Sequence, residues 1–129
     1  MFHLTKLDLE TLRESLNARS AVLREEIEHA LHESAAPDAP GPHRVEAGDE
    51  AVADLETAIA VAGLERDAAE LDLVLEALAR VDSGRYGLCA DCGAPIAMRR
   101  LLAQPQALRC TRCETERERT RARPSLPAL

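Results

Sequence analysis

Aromatic residues are nearly absent from this chain. Its 129 residues include one Tyr, one Phe and no Trp. Because aromatic side chains supply much of the buried surface of a globular core, we do not expect a large core. Leu, Ala, Glu and Arg are abundant instead, and that composition is typical of long helices or coiled coils. The length suggests one domain, or one small domain with an extension.

Long apolar runs are also lacking. No stretch of the sequence approaches the ~20 consecutive apolar residues that a membrane-spanning helix requires. The N-terminal segment MFHLTKLDLE passes directly into charged residues and has no apolar core like that of a secretory signal. We therefore expect a soluble, cytoplasmic protein.

The cysteines are few but closely patterned, because all four form two Cys-x-x-Cys pairs that are separated by 17 residues. They are Cys89, Cys92, Cys110 and Cys113. This spacing is a strong zinc signal, since two pairs can bind one ion from opposite sides and complete a tetrahedral shell of thiolates. A closed shell leaves no position open for a substrate. The spacing therefore predicts one structural Zn²⁺.

Other uses of the cysteines have less support. Two disulfides would require an oxidising compartment, and a redox Cys-x-x-Cys pair usually lies beside a βαβ pattern, which this sequence lacks. Zinc thiolates can be oxidised, so a thiol sensor that releases zinc on oxidation remains an alternative function. The sequence also has no nucleophile–base pair and no phosphate-binding loop. It therefore predicts a protein that is not an enzyme.

The formal net charge of −7 is unevenly distributed. Residues 46–76 contain ten acidic residues against Arg66 alone, which gives −9, and residues 99–123 contain eight Arg against three Glu, which gives +5. Such charge runs usually mark solvated helix faces. A segment at −9 is poorly suited to a nucleic-acid backbone, because phosphate contacts need Lys or Arg.

The apolar spacing predicts two long helices in residues 1–80. The first covers about 5–34, begins with a capping box formed by Thr5 and Asp8, and has one apolar stripe. The stripe comprises Leu9, Leu12, Leu16, Leu23, Ile27 and Ala30. Three prolines interrupt the helical pattern in a Pro-rich tip, 35–48, and the second helix covers about 49–81. The second helix also has an apolar stripe. The stripes of the two helices can pack together, so we expect an antiparallel helical hairpin.

Gly63 lies inside the second predicted helix, where it costs about 1 kcal/mol relative to Ala. It is expected to mark a close approach of the first helix. Asp82, Ser83 and Gly84 predict the end of the second helix, and the zinc finger covers 81–113. Residues 114–129 are expected to form a short basic helix and a loose tail. The fold class is thus mainly α, with a long hairpin, a small C4 finger and a C-terminal helix.

The stretch from Val81 to Cys113, VDSGRYGLCADCGAPIAMRRLLAQPQALRCTRC, closely resembles the DksA/TraR C4-type zinc finger. The shared positions include Asp82, Gly84, Tyr86, Gly87, the four cysteines, Gly93, Ile96, Arg100, Leu101, Ala103, Pro105 and Ala107. The resemblance implies a regulator that binds RNA polymerase through its secondary channel, with the tip of a coiled coil near the active centre. It also implies a structural zinc finger at the base of the hairpin.

The same resemblance directs attention to the start of the second helix. Longer members carry an Asp-x-x-Asp-x-Ala motif at the tip, and the matching positions here are Glu46, Asp49 and Ala51. The first carboxylate is kept on a side chain that is one methylene longer. An ordinary acidic helix start would also explain the two carboxylates.

A second comparison with the family concerns the alarmone ppGpp. Members that respond to ppGpp place basic residues where this chain has Leu73, Gln104 and Glu114. Since a polyphosphate needs basic side chains, the resemblance implies weak or no ppGpp binding by this surface.

Two functional interpretations remain. The favoured one is the polymerase-binding regulator, with Arg99, Arg100, Arg109 and Arg112 as candidate partner contacts and no sequence-specific binding to DNA. The alternative is a zinc-ribbon adaptor whose Arg-rich C-terminal region binds nucleic acid or another acidic partner, with the hairpin used for dimerisation.

Overall fold

A computed structural model describes residues 4–35 and 47–122. It contains four helices: α1 (Lys6–Ala35), α2 (Ala47–Ser83), α3 (Met98–Ala103) and α4 (Thr111–Ala122). The described residues are mainly helical, and a cluster of four cysteines follows the two long helices. The predicted fold class is therefore confirmed. Within these residues, no helix combines the length and apolar character needed to cross a membrane.

The start of α1 is fixed by a reciprocal pair of hydrogen bonds. The backbone N–H of Thr5 donates to Asp8 Oδ2 at 2.9 Å, and the N–H of Asp8 donates to Thr5 Oγ1 at 3.0 Å. This is the predicted capping box, and it provides acceptors for two N–H groups that a helix start leaves unpaired. Leu4, directly before it, is buried.

The chain divides into two compact units, and the first combines the segments before Ala18 and after Asp72. Among the residues that the structure describes, its core is small and aliphatic around the ring of Tyr86. The fully buried side chains are those of Leu12, Leu16, Val74, Ala77, Tyr86, Ile96 and Leu101. Arg13 of α1 binds Asp82 of α2 at 2.8 Å, but both side chains are about half exposed or more, so this ion pair adds little to stability.

The second unit, Ala18–Asp72, is held by a thin seam between the two long helices. Leu23 is fully buried and Ser20 is 7% exposed, while Ile27, Leu64 and Leu71 are half-buried. Of the apolar stripe predicted for the first helix, Leu12, Leu16 and Leu23 are buried and Leu9, Ile27 and Ala30 are half-buried. The buried Ser20 fills the gap in that stripe between Leu16 and Leu23, and apolar periodicity alone does not identify it.

A bidentate ion pair crosses the seam of the second unit. Arg19 Nε and Nη2 donate to the two carboxylate oxygens of Glu70 at 2.5 and 2.8 Å. The hydrogen bond from Arg19 lowers the pKa of Glu70. Each unit thus has its own ion pair between α1 and α2, Arg13 with Asp82 in the first and Arg19 with Glu70 in the second.

The expectation that Gly63 marks a close approach of α1 is wrong. A Cβ placed on Gly63 would meet only Nη2 of Arg66, at 3.7 Å, which is an ordinary contact with a side chain of the same helix. No atom of α1 requires a glycine at this position.

Gly63→Ala is therefore expected to stabilise the protein by about 0.5–1 kcal/mol, because Ala loses less backbone entropy than Gly in a helix interior. Chemical denaturation followed by far-UV circular dichroism would measure the change. Ala62→Gly, on the same turn at an exposed position, should destabilise by a similar amount. If Gly63→Ala were less stable than wild type, the conclusion that there is room for a Cβ at position 63 would be wrong.

The end of α2 is a Schellman motif. Gly84 has a φ of +78°, a conformation that residues with a Cβ rarely adopt. Its N–H donates to the Val81 carbonyl at 3.3 Å, and the N–H of Arg85 donates to the Arg80 carbonyl at 2.9 Å. Glycine at this position thus allows the chain to turn directly from α2 into the cysteine-containing segment.

Candidate metal centre

The first cysteine pair lies on a tight turn. The N–H of Cys89 donates to the Ala94 carbonyl at 2.8 Å, and the N–H of Gly93 donates back to the Cys89 carbonyl at 3.0 Å. Gly93 has a φ of +75°, which a glycine adopts without strain. A bridge between Leu88 and Pro95 closes the turn. Cys89 and Cys92 are thereby held on the same side of one loop.

The second pair lies at the start of α4. Cys110 precedes the helix, and its carbonyl accepts the N–H of Glu114 at 2.9 Å. Cys113 lies in the first turn of α4.

The four sulfurs form one compact cluster, with all four Sγ atoms within 4.8 Å of one another. The Sγ atoms of Cys92 and Cys110 are 3.8 Å apart. With Zn–S bonds of about 2.3 Å, the edge of a tetrahedral ZnS₄ site is about 3.8 Å. A disulfide would need about 2.05 Å, and the four cysteines are free. The donor set and its spacing therefore fit one Zn²⁺.

The electrostatics of the cluster also favour a cation. Burial raises the pKa of the Cys89 thiol, but backbone hydrogen bonds from Cys92, Cys110 and Asp91 outweigh burial and lower it to about 6. The pKa of Cys113 is raised to about 12, chiefly by its hydrogen bond with Cys110. Four thiolates this close repel one another, whereas a divalent ion allows all of them to ionise.

Two hydrogen bonds join the two cysteine turns independently of the sulfurs, and a hydrogen bond from Arg100 joins α3 to the second turn. The N–H of Ala90 donates to the Leu108 carbonyl at 2.7 Å, Arg100 Nε donates to the Arg109 carbonyl at 3.0 Å, and Arg109 Nε binds Asp91 Oδ2 at 2.9 Å. The Arg109 side chain is only 17% exposed. These contacts orient the loops that carry the ligands, as the outer shell of a metal site does.

The candidate partner contacts therefore differ in their surroundings. Arg109 joins the two turns and Arg100 joins α3 to the second turn, whereas Arg99 and Arg112 are exposed. Nothing in the local sequence distinguishes the two kinds of arginine. The shared position of Arg100 in the family motif is the one signal that separates it from its neighbour Arg99.

The cysteine turns are also connected to the end of α2. Arg80 Nη2 donates to the Leu88 carbonyl at 2.9 Å, directly before Cys89. The buried Tyr86 donates its hydroxyl hydrogen to the Pro105 carbonyl at 2.8 Å. Burial raises the pKa of Tyr86 to about 12, above the ordinary value of about 10. Sequence reasoning found Tyr86 only through the family motif.

Tyr86→Phe is expected to destabilise the finger by about 1–2 kcal/mol, because the Pro105 carbonyl loses its partner while the ring still fills the core. The raised pKa adds a pH signature. The neutral Tyr86 hydroxyl contributes fully to the free energy of unfolding below pH ~10, and this contribution is lost as the pH rises through about 12. The stability difference between wild type and Tyr86→Phe should therefore narrow over that window in denaturant titrations. If the difference in unfolding free energy between wild type and Tyr86→Phe did not change with pH, the conclusion that Tyr86 is buried as a neutral hydroxyl would be wrong.

The predicted tip residues fall at the edge of the described structure. Glu46 lies outside the described residues, Asp49 is in the first turn of α2, and Ala51 is exposed on the same helix.

The three positions at which the resemblance implies basic residues in other members do meet in space. Leu73, Gln104 and Glu114 line one surface cavity of about 330 Å³. Arg100, Arg109, Arg117, Glu118 and Arg121 also line it. Glu114 and Glu118 offset part of the charge of the four arginines, so the cavity presents a mixed wall.

Comparisons with known proteins agree with this geometry. Residues 84–124 match the family described as the prokaryotic dksA/traR C4-type zinc finger. The chain is similar to the solved structure of the transcription factor DksA2 from Pseudomonas aeruginosa, with 29% identity, coverage of 94% of this chain and 91% of that chain, and a TM-score of 0.76. No curated protein sequence matches the chain. The resemblance inferred from the sequence is therefore confirmed for the finger and for the fold.

Proposed function

We propose that this chain, whose residues 84–124 match the DksA/TraR zinc finger and whose fold is that of a DksA-type transcription factor, is a transcription regulator that binds RNA polymerase through the secondary channel. The likeness to DksA2 over nearly the whole of both chains is the observation that carries the proposal. A match confined to the finger would support a zinc module and no more.

The proposal assigns a role to each of three segments. The hairpin of residues 1–80 supplies reach, the finger of 81–113 holds the base through one structural zinc, and residues 114–129 add a basic surface. The carboxylates of Glu46 and Asp49 act electrostatically near the active centre, with Ala51 as the third residue of the tip motif. No step needs chemistry from this chain, and the protein acts in the cytoplasm, where the polymerase is found.

Co-purification with RNA polymerase core tests the proposal. The zinc-loaded wild type should be retained, and a variant in which residues 36–58 are replaced by a short Gly-Ser loop should be retained less, because it lacks the end of the hairpin. Failure of the wild type to bind core enzyme would refute the proposal.

A nucleic-acid adaptor is the second candidate function. Four arginines of α4 are exposed, namely Arg112, Arg117, Arg119 and Arg121, and such a surface can contact phosphates. The acidic residues on the same helix, Glu114, Glu116 and Glu118, weaken the attraction of this surface for phosphates. Salt-dependent binding to bare DNA, as tight as binding to core polymerase, would favour this alternative.

We expect ppGpp to have little effect through this protein. Leu73, Gln104 and Glu114 add no positive charge to the cavity at the positions where the resemblance implies basic residues, and Glu114 and Glu118 offset part of the charge of its arginines. Titration of ppGpp into the polymerase complex should shift the transcriptional effect less than about twofold, well under 1 kcal/mol. A strong response that is lost on substitution of Gln104 would show that the cavity binds the alarmone.

A further inference from the structure

The first half of α2 carries a row of large apolar side chains in contact with solvent. Val52, Leu55 and Ile59 are 54%, 61% and 62% exposed, and Ala62 continues the row. Positions spaced three and four residues apart lie along one stripe of a helix. We call these four residues the outer stripe. Every residue of α2 from Glu50 to Ala62 is exposed, so no described part of the chain covers it.

The outer stripe is distinct from the seam with α1. Glu70, which binds Arg19, and the half-buried Asp67 lie on the face of α2 that meets α1. In a coiled coil the seam recurs every seven residues. Steps of seven from Asp67 lead to Ala60 and Ala53, and not to the outer stripe. The hairpin therefore leaves a second apolar face on α2.

Helix stability does not account for this face. Val52 and Ile59 are β-branched, and such residues form helices less well than Ala, Glu or Lys. A solvated helix face gains nothing from them. Three large apolar side chains aligned on one exposed stripe are what a helix docking on another helix would contact.

The charges beside the outer stripe restrict what can dock there. Glu56 lies on one side, Asp54 and Glu65 lie on the other, and α2 has no basic residue between Glu50 and Glu65. A second copy would bring the same acidic residues together, which is unfavourable. A partner helix with an apolar stripe bordered by Lys or Arg would match both the shape and the charge.

We propose that the outer stripe of α2 docks a basic amphipathic helix of RNA polymerase. The inference rests on the proposed function and adds the kind of surface that the polymerase must present. Leu55 and Ile59, at the centre of the stripe, are its anchors. Glu56 and Asp54 pair with the basic border of the bound helix.

Alanine substitution gives a clean test, because Ala is a better helix former than the residues that it replaces. Leu55→Ala/Ile59→Ala should weaken binding to core polymerase at least tenfold in a titration with the zinc-loaded protein. Val61→Ala is the matched control, since Val61 is 48% exposed on the same helix but lies off the stripe. It should bind within twofold of wild type. Unchanged binding of the double variant would overturn the inference and leave the proposed function standing.

A photo-crosslinking amino acid at position 55, with position 61 as control, identifies what lies against the stripe. We expect position 55 to crosslink to a helical segment of a polymerase subunit with Lys or Arg beside its apolar residues, and that segment, made as a peptide, should bind wild type more weakly as salt rises. Crosslinks to a second copy, to nucleic acid or equally from both positions would overturn the inference. Failure of the wild type to bind polymerase would overturn this inference and the proposed function together.

Discussion

Cys110→Ser is expected to unfold the finger. Structural zinc sites bind with apparent free energies of about 10–16 kcal/mol near neutral pH, and a hydroxyl replaces a thiolate poorly as a zinc ligand. The variant should lose its bound zinc, and with it the turns that carry the ligands. The first unit contains much of the described aliphatic core, so we expect it to lose most of its stability.

Tyr86 makes this effect easy to observe. It is the only tyrosine, and the chain has no Trp, so near-UV circular dichroism reports chiefly on the core beneath the finger. We expect the signal of Cys110→Ser to collapse, and zinc content to fall from one ion per chain to nearly none. Arg112→Ala, at an exposed position between two ligands in sequence, is the control and should keep both. A Cys110→Ser protein with one tightly bound zinc and a native tyrosine signal would show that the four-thiolate site is not required.

The paired substitution Glu46→Gln/Asp49→Asn is expected to remove most of the transcriptional effect while leaving polymerase binding largely intact. The two changes delete negative charge and preserve shape. We expect the effect on a purified transcription reaction to fall about tenfold at saturating protein, equivalent to ~1.4 kcal/mol. Binding, measured in parallel, should change less than about twofold.

Glu50→Gln is the control for this test. It removes one negative charge from the turn of α2 that contains Asp49, at an exposed position outside the family motif. It should retain the transcriptional effect. If the paired variant regulated transcription as well as wild type, these two residues would be an ordinary acidic helix start and not the acting tip.

The sequence predicts the features that depend on local patterns. Apolar spacing gives α1 and α2, since Leu12, Leu16 and Leu23 recur on one helical stripe and are buried. Thr5 and Asp8 are only three residues apart, so their capping box can be recognised from the sequence alone. The cysteine spacing gives the metal site, because two turns and one ion require little from the rest of the chain.

The features that the sequence does not reveal depend on long-range packing. Arg100 and Arg109 look like any other arginines in a basic stretch, yet both are held by groups nine to eighteen residues away in sequence. Ser20 is polar and still belongs to the seam. Gly63 suggests a close contact that α1 does not make, because whether a helix approaches depends on the partner's position and not on the glycine itself.

Arg80 belongs to two structures at once. Its carbonyl accepts the N–H groups of Arg85 and Tyr86 where α2 ends, and its guanidinium binds the carbonyl just before Cys89. Because both sets of contacts use Arg80, they connect the end of α2 to the metal site, and a free-energy coupling between two sites is equal in both directions. If a tighter last turn of α2 raises the affinity of the cysteines for their ion, loss of the ion loosens that turn by the same free energy. The amount of zinc that a cell supplies would then tune how firmly the helix is anchored.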